Sequence, residues 1–178
     1  MLVFWRFGYE GASLNDLTAA MGITPPSLYT AFGDKQRLFL EAVDHYLSRP
    51  GCDVQQILQE APTAREAVQR MLRTATVQQT RSDKPHGCLL MSAATHSPSA
   101  TEVKTSLIKL RHAVERRVKE RIERGIREGE LPGHTDAAAL ASFYLAIVQG
   151  MSTQARDGAK RDKLRAIADA AMSIWPLA

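Results

Sequence analysis

Apolar residues recur at steps of three and four along almost the whole chain, which is the spacing of helices with one buried face. No alternation of apolar and polar residues is long enough to predict a strand. Glycine and proline residues separate the periodic segments. We therefore predict an all-α fold. Beyond a short N-terminal helix, the predicted helices cover about 13–21, 25–32, 34–48, 63–81, 88–96, 99–128, 135–157 and 161–175.

Local signals place the ends of several helices. Ser13 has Asp16 three residues later, which is the spacing of a capping box. Thr24 directly precedes Pro25, and this pairs an N-cap hydroxyl with proline at the first helical position. Gly22 lies where a sharp turn between two helices needs a positive φ. These signals predict two short helices joined by a tight turn.

Two short helices with a glycine in the turn predict a helix-turn-helix unit, whose second helix enters the DNA major groove. Leu14, Leu17 and Met21 share one face of the first helix. Leu28 and Phe32 are four residues apart, so we expect both to face inward from the second helix. A hairpin that merely packs on the next helix would explain these apolar positions equally well.

The opposite face of the second helix separates these two interpretations. It presents Pro26, Ser27, Tyr29 and Thr30, which are uncharged and mostly small. Small hydroxyl-bearing residues allow close approach to base edges and can bond bases or phosphates. Lys35 lies in the first turn of the following helix, where the helix N-terminus also favours a phosphate. A simple packing hairpin leaves these outward residues unexplained.

Residues 4–47 resemble the DNA-binding domain of TetR-type transcriptional regulators. The matching motifs are Phe7-Gly8-Tyr9, Ser13, Leu17-Thr18, Gly22-Ile23-Thr24, Leu28-Tyr29-Thr30-Ala31-Phe32 and Lys35. The resemblance implies that base edges are faced by Thr24, Pro25, Pro26, Ser27 and Thr30. It implies that phosphates are contacted by Ser13, Tyr29 and Lys35. Only about seven residues precede Gly8, fewer than the family usually has, so we expect a truncated start or weakened DNA binding.

The resemblance also implies two domains and a function. The DNA-binding domain covers 1–47, and a helical ligand-binding and dimerisation domain covers 48–178. We expect a cytoplasmic repressor that binds a palindromic double-stranded operator as a homodimer and is released by a small-molecule effector. No cofactor is expected. The residues also contain no nucleophile with a matching base and no phosphate loop, so we do not expect an enzyme.

The last two helices are the expected dimer interface, because small residues on them allow another helix to approach closely. The predicted interface residues are Ala138, Ala141, Ser142, Leu145, Leu164, Ile167, Ala171 and Ile174. The alternative is that both helices close the core of a monomer.

An effector pocket among the body helices is expected to combine apolar walls with a few polar groups. The candidate lining residues are Met71, Cys88, Met91, His96, Leu107, Leu110, His112, Phe143 and Ile147. Ordinary core packing is the alternative for each of them.

Net charge does not locate the DNA site. The chain carries +4 overall, but residues 1–48 hold three Lys or Arg against five Asp or Glu. The basic excess lies in 99–130, nine cations against six Glu, where acids precede bases by four residues. The predicted pairs are Glu115 with Lys119, Glu120 with Arg124 and Glu123 with Arg127, which indicates a solvated helix face rather than a nucleic-acid surface.

Other sites are disfavoured. His86, Cys88 and His96 match no zinc spacing, so no metal is expected. The two cysteines do not suggest a disulfide framework, and no apolar run is long enough to span a membrane. Two other classes of function stay open from the residues: a helical enzyme or ligand carrier with a vestigial hairpin, and an interaction scaffold that does not bind DNA.

Overall fold

A computed structural model describes residues 1–48, 54–92 and 101–176, and these contain helices and no strand. The predicted all-α class is therefore confirmed. The helices are α1 (Leu2–Gly11), α2 (Leu14–Met21), α3 (Pro25–Phe32), α4 (Lys35–Leu47), α5 (Val54–Glu60), α6 (Ala64–Gln79), α7 (Leu89–Ser92), α8 (Thr101–Arg127), α9 (Ala137–Arg156) and α10 (Arg161–Met172). No described helix is both long enough and apolar enough to cross a membrane.

The predicted helix ends around the short turn are confirmed. Ser13 and Asp16 form a reciprocal capping box at the start of α2. Gly22 adopts the left-handed conformation, with φ 66°, and ends α2. The N–H of Ile23 then donates to the carbonyl of Thr18 at 3.1 Å, which satisfies a carbonyl left free at the helix end. Local sequence signals thus determine the geometry of the turn.

Two short elements depart from the prediction. Helix α5 (Val54–Glu60) was not predicted, because seven residues with one buried position, Leu58, give almost no periodic signal. Helix α1 is kinked at Gly8, which has φ 73° and ψ −179°. The predicted helix 88–96 is seen as Leu89–Ser92: Cys88 precedes the helix, and residues 93–96 lie outside the described part of the chain.

The described residues divide into two compact units. The first takes its residues from 1–52 and 88–110 and contains α1 to α4, α7 and the beginning of α8. Its centre is Phe39, which is fully buried and meets the rings of Phe4 and Tyr9 edge-on at 5.1 and 5.2 Å. The boundary between domains at 47/48 stays a prediction.

The second unit takes its residues from 53–87 and 111–178 and contains α5, α6, α9, α10 and the remainder of α8. Tyr144 of α9 is fully buried there, and its hydroxyl donates to the carbonyl of Ala171 in α10 at 3.2 Å. Its ring lies 5.8 Å from that of Trp175. Burial raises the pKa of Tyr144 to about 12. Tyr144 therefore joins α9 to α10 as a neutral phenol.

A buried ion pair holds one end of the second unit. The Arg121 side chain is 4% exposed, and its Nη2 lies 3.4 Å from Oε1 of Glu130. The same nitrogen donates to the carbonyls of Ala61 and Pro62, at 3.4 and 3.2 Å. The other carboxylate oxygen of Glu130 accepts the backbone N–H of Ala64 at the start of α6. The pair therefore connects α8 with the turn before α6.

The exposed ion pairs of α8 differ from the predicted ones. The observed pairs place the base first: Arg116 with Glu120, Lys119 with Glu123 and Arg124 with Glu128. The predicted acid-first pairs are not formed in the described part of the helix, so this prediction was wrong. Either register is available to long side chains on one helix face, and surface pairs in water differ little in free energy.

Candidate nucleic-acid interface

Helix α3 presents its N-terminal half to solvent. Thr24 caps the helix, and its hydroxyl accepts the N–H of Ser27 at 3.4 Å. Leu28 is fully buried in the core of the first unit and fixes the rotation of the helix. The residues that the resemblance assigned to DNA on this helix are all exposed: Thr24, Pro25, Pro26, Ser27, Tyr29 and Thr30. All six therefore reach solvent around the N-terminal half of α3.

The hydroxyl groups on this surface are held by local bonds. Thr30 Oγ1 donates to the carbonyl of Pro26 at 2.9 Å. The hydroxyls of Thr24 and Ser27 are 2.9 Å apart and share a hydrogen bond. A hydroxyl that donates one hydrogen bond keeps acceptor capacity and can rotate to a new partner. These three side chains are thus pre-positioned but still able to exchange their bonds.

Ser13 and Lys35 flank this surface and are both partly engaged. The Ser13 hydroxyl and backbone N–H both donate to the Asp16 carboxylate, and these two bonds lower the pKa of that carboxyl. The Lys35 ammonium lies 4.8 Å from the centre of the Tyr9 ring and 3.5 Å from the Glu10 carbonyl. Burial lowers the pKa of the half-buried Lys35. A phosphate at either residue has to compete with existing partners.

The start of α4 carries a cap that the sequence analysis did not foresee. Asp34 is the N-cap residue, and its carboxylate accepts the N–H of Arg37 at 2.7 Å. A carboxylate at this position offsets the positive end of the helix dipole. The N-terminus of α4 therefore attracts a phosphate less strongly than predicted from the sequence.

Met21 lies on the same face of α2 as Leu14 and Leu17 but is 37% exposed. It is the last residue of α2, and the chain turns sharply at Gly22. Ile23, beyond the turn, packs against the core instead.

The candidate pocket residues are divided between the two compact units. Cys88, Met91, Leu107 and Leu110 belong to the first, and Met71, His112, Phe143 and Ile147 to the second. Met71 and Leu107 are core residues, 4% and 1% exposed, whereas His112 is exposed. Cys88 is half-buried, and its sulfur accepts the Tyr46 hydroxyl at 3.5 Å. His96 lies outside the described residues.

The candidate dimer residues also differ in exposure. Ala141, Leu164 and Ala171 are buried in the core of the second unit. Leu145 and Ile167 are half-buried. Ala138, Ser142 and Ile174 are exposed. In the described residues, no three His, Cys, Asp or Glu side chains cluster as a metal site requires.

Two family descriptions match most of the chain. The bacterial regulatory proteins of the tetR family match residues 1–42. The tetracyclin repressor-like C-terminal domain matches residues 64–172. The first match contains α1 to α3 and the surface described above, and the second contains α6 to α10.

Individual relatives match along nearly the whole chain. The HTH-type transcriptional repressor ComR of Escherichia coli is 36% identical over 99% of this chain and 85% of its own length. The repressor BdcR of the same organism is 26% identical over 94% of this chain and 80% of its own. The solved structure of the regulator CifR with 26-base-pair operator DNA is 44% identical, covers 98% of this chain and 92% of its own, and has a TM-score of 0.93. These are transcription regulators rather than enzymes, and the chain belongs to the TetR family of DNA-binding transcriptional regulators.

Proposed function

We propose that this protein is a transcriptional repressor that binds operator DNA through the N-terminal half of α3. The exposed residues Thr24, Ser27, Tyr29 and Thr30 carry this proposal, because buried Leu28 anchors the helix and leaves these side chains in solvent. The relative ComR is named a repressor, and CifR is seen with operator DNA. Both names support the same role for this chain.

The side chains on α3 divide into two roles. Thr24, Ser27 and Thr30 are short enough for the helix backbone to approach base edges, where their hydroxyls donate or accept and the methyl groups of Thr24 and Thr30 meet thymine methyls. Tyr29 is longer and 46% exposed, and its hydroxyl suits a phosphate oxygen at the rim of the groove. Phosphate contacts fix the register of the helix, and the short residues read the sequence.

Replacing Tyr29 by alanine should weaken operator binding about tenfold, which corresponds to about 1.4 kcal/mol. The loss combines a phosphate hydrogen bond with the contact area of the ring. The measurement is a titration of purified protein with the DNA upstream of its own coding region, beside a shuffled fragment of the same composition. Tyr29→Phe keeps the ring and should show the smaller loss caused by the hydroxyl alone.

Val77→Ala is the matched control, because Val77 is another exposed large side chain, 43% exposed, on α6 of the second unit. It should bind as the wild type does. Equal affinity of Tyr29→Ala and wild type for the upstream fragment would contradict the role of Tyr29 in DNA binding.

We also infer that the protein is a homodimer that joins through α9 and α10. Ala138, Ser142, Ala146 and Gly150 follow one another at steps of four on α9, so they form a stripe, and all four are exposed. Small residues in such a stripe allow close approach of a second helix. Ile174 is 57% exposed beyond the end of α10 and adds an apolar contact. A two-fold dimer also suits a palindromic operator.

Native mass spectrometry tests the dimer. We expect a species of about twice 19.6 kDa for the wild type. Ala146→Arg places a long charged side chain in the stripe and should give the monomer mass. Ala20→Arg is the control, because Ala20 is an exposed alanine on α2, outside the stripe. A monomeric wild type, or a dimer that persists in Ala146→Arg, would refute this interface.

The effector is the remaining part of the proposal. We infer a small-molecule site in the helical body, which the match to the tetracyclin repressor-like C-terminal domain supports. Phe143 and Ile147 lie one turn apart on α9, are half-buried and pack against the core of the second unit. Of the candidate residues in this unit, these two both pack against the core and keep some exposed surface for a ligand. The same mass spectra should show an additional small mass on protein purified without denaturation, and its absence from every preparation would count against a tightly held effector.

A further inference from the structure

Residues 1–48, which contain the helix-turn-helix, are poor in cations for a DNA-binding segment. Residues 1–48 contain Arg6, Lys35 and Arg37 against five acidic residues. DNA affinity depends strongly on cations that neutralise phosphates. Lys35 is half-buried and lies against the Tyr9 ring and the Glu10 carbonyl. Another cation close to α3 would therefore add to the affinity for DNA phosphates.

Arg37 lies on the first turn of α4, and its side chain runs back towards the end of α3. A Cβ atom added to Gly33, the C-cap of α3, would lie 3.3 Å from Nη1 and 3.4 Å from Cδ of Arg37. Helical side chains point towards the N-terminus of their own helix, which explains this direction. The guanidinium thus lies beside the C-terminal end of α3, the helix whose N-terminal half carries the proposed DNA-facing residues.

The Arg37 side chain is exposed and available. Within residues 1–48, 54–92 and 101–176 the observed ion pairs use other cations. Asp34, the nearest acid in sequence, accepts the backbone N–H of Arg37, so its Oδ1 is engaged in capping α4. A guanidinium at the surface binds phosphate well, because its planar N–H groups match two phosphate oxygens.

We propose that Arg37 contacts a DNA phosphate beside the C-terminal end of α3 and supplies part of the electrostatic affinity that the acidic segment 1–48 otherwise lacks. This rests on the proposed function of α3. Arg37 was not among the residues that the family resemblance assigned to DNA, and only the folded position of its side chain beside Gly33 indicates it. Because a phosphate contact carries no base information, Arg37 should strengthen specific and non-specific binding alike.

A purely structural role for Arg37 is the competing explanation. A cation at the C-terminus of α3 would stabilise the helix through its dipole, typically by a few tenths of a kcal/mol to about 1 kcal/mol. The two roles differ in what they change. The structural role alters the melting temperature and leaves the salt dependence of DNA binding unchanged, whereas a phosphate contact alters that salt dependence.

The test is the slope of log Kobs against log salt concentration between 50 and 200 mM, for the upstream DNA fragment and the shuffled one. Each lost phosphate contact lowers the magnitude of the slope by about 0.9, so Arg37→Gln should lower it by about 1 per protomer. Its affinity at 50 mM salt should fall several-fold on both fragments. Arg37→Lys keeps the charge and should keep most of the slope.

Arg73→Gln is the matched control, because Arg73 is exposed on α6 in the second unit. It should bind as the wild type does at every salt concentration. An unchanged slope in Arg37→Gln overturns the proposal, and if its melting temperature falls the residue only stabilises α3. A wild type that binds neither fragment overturns the proposed function itself, which is a different outcome from an unchanged slope.

Discussion

Replacing Glu130 by alanine should lower the free energy of unfolding by about 3–5 kcal/mol, because removing one member of a buried ion pair leaves an uncompensated charge. The Arg121 side chain is 4% exposed, and Glu130 is its carboxylate partner in the structure. Glu130 also accepts the N–H of Ala64, which would lose that bond. Urea denaturation of the purified protein measures the effect.

Glu128→Ala is a matched control two residues away. Glu128 pairs with Arg124 at 2.8 Å, a shorter distance than in the buried pair, but both side chains are about half exposed. Exposed pairs contribute little to stability, so we expect a much smaller change than for Glu130→Ala. Similar losses for the two variants would mean that burial of Arg121 does not determine the strength of its pairing.

Phe39→Ala should cost about 3–5 kcal/mol, which is typical of removing a fully buried aromatic side chain. Phe39 joins α4 to α1 through edge-on contacts with Phe4 and Tyr9. Leu28, which orients α3, belongs to the same core. The variant should therefore lose DNA binding together with stability. Chemical denaturation and the titration with upstream DNA measure the two losses.

Phe7→Ala is the control for this prediction. Phe7 lies on the same helix as Phe4 but is 51% exposed, so its truncation should cost less than about 1 kcal/mol. If Phe39→Ala unfolds no more easily than Phe7→Ala, the aromatic cluster does not hold the first unit together.

The elements fixed by short-range chemistry could be predicted from the sequence. The capping box of Ser13 and Asp16, the Thr24–Pro25 start and the left-handed Gly22 each depend on neighbours within four residues. A few such signals in the right order identify α2, α3 and the exposed residues of α3. The resemblance of residues 4–47 to the family rests on the same short segment.

Features that depend on distant contacts could not be predicted. Leu89, Leu90, Val103 and Leu107 are buried in the same core as α1 and α4, although they follow those helices by about 40 residues or more. Periodicity shows that such residues face inward but not which element they face. The direction of the Arg37 side chain and the Asp34 cap were missed because alternative rotamers and caps look alike in sequence.

The same limitation affects the dimer and pocket residues. Ala141, Leu164 and Ala171 are apolar residues on inward faces, and the sequence cannot distinguish the core of one chain from the interface between two. The structure places all three in the core of the second unit. The exposed α9 stripe of Ala138, Ser142, Ala146 and Gly150 is the surface that we propose for a partner helix.

The central claim is that α3 reads a specific DNA sequence, and the affinity of the wild-type protein for its upstream DNA relative to the shuffled fragment tests it most directly. Specific sites are typically bound about 10³-fold or more tightly than non-specific DNA at physiological salt. We expect a preference of that size in the titration of the wild type, and a reduced affinity for the upstream DNA in Tyr29→Ala. Equal affinity of the wild type for the two fragments would contradict the claim that α3 reads a specific sequence in the upstream DNA.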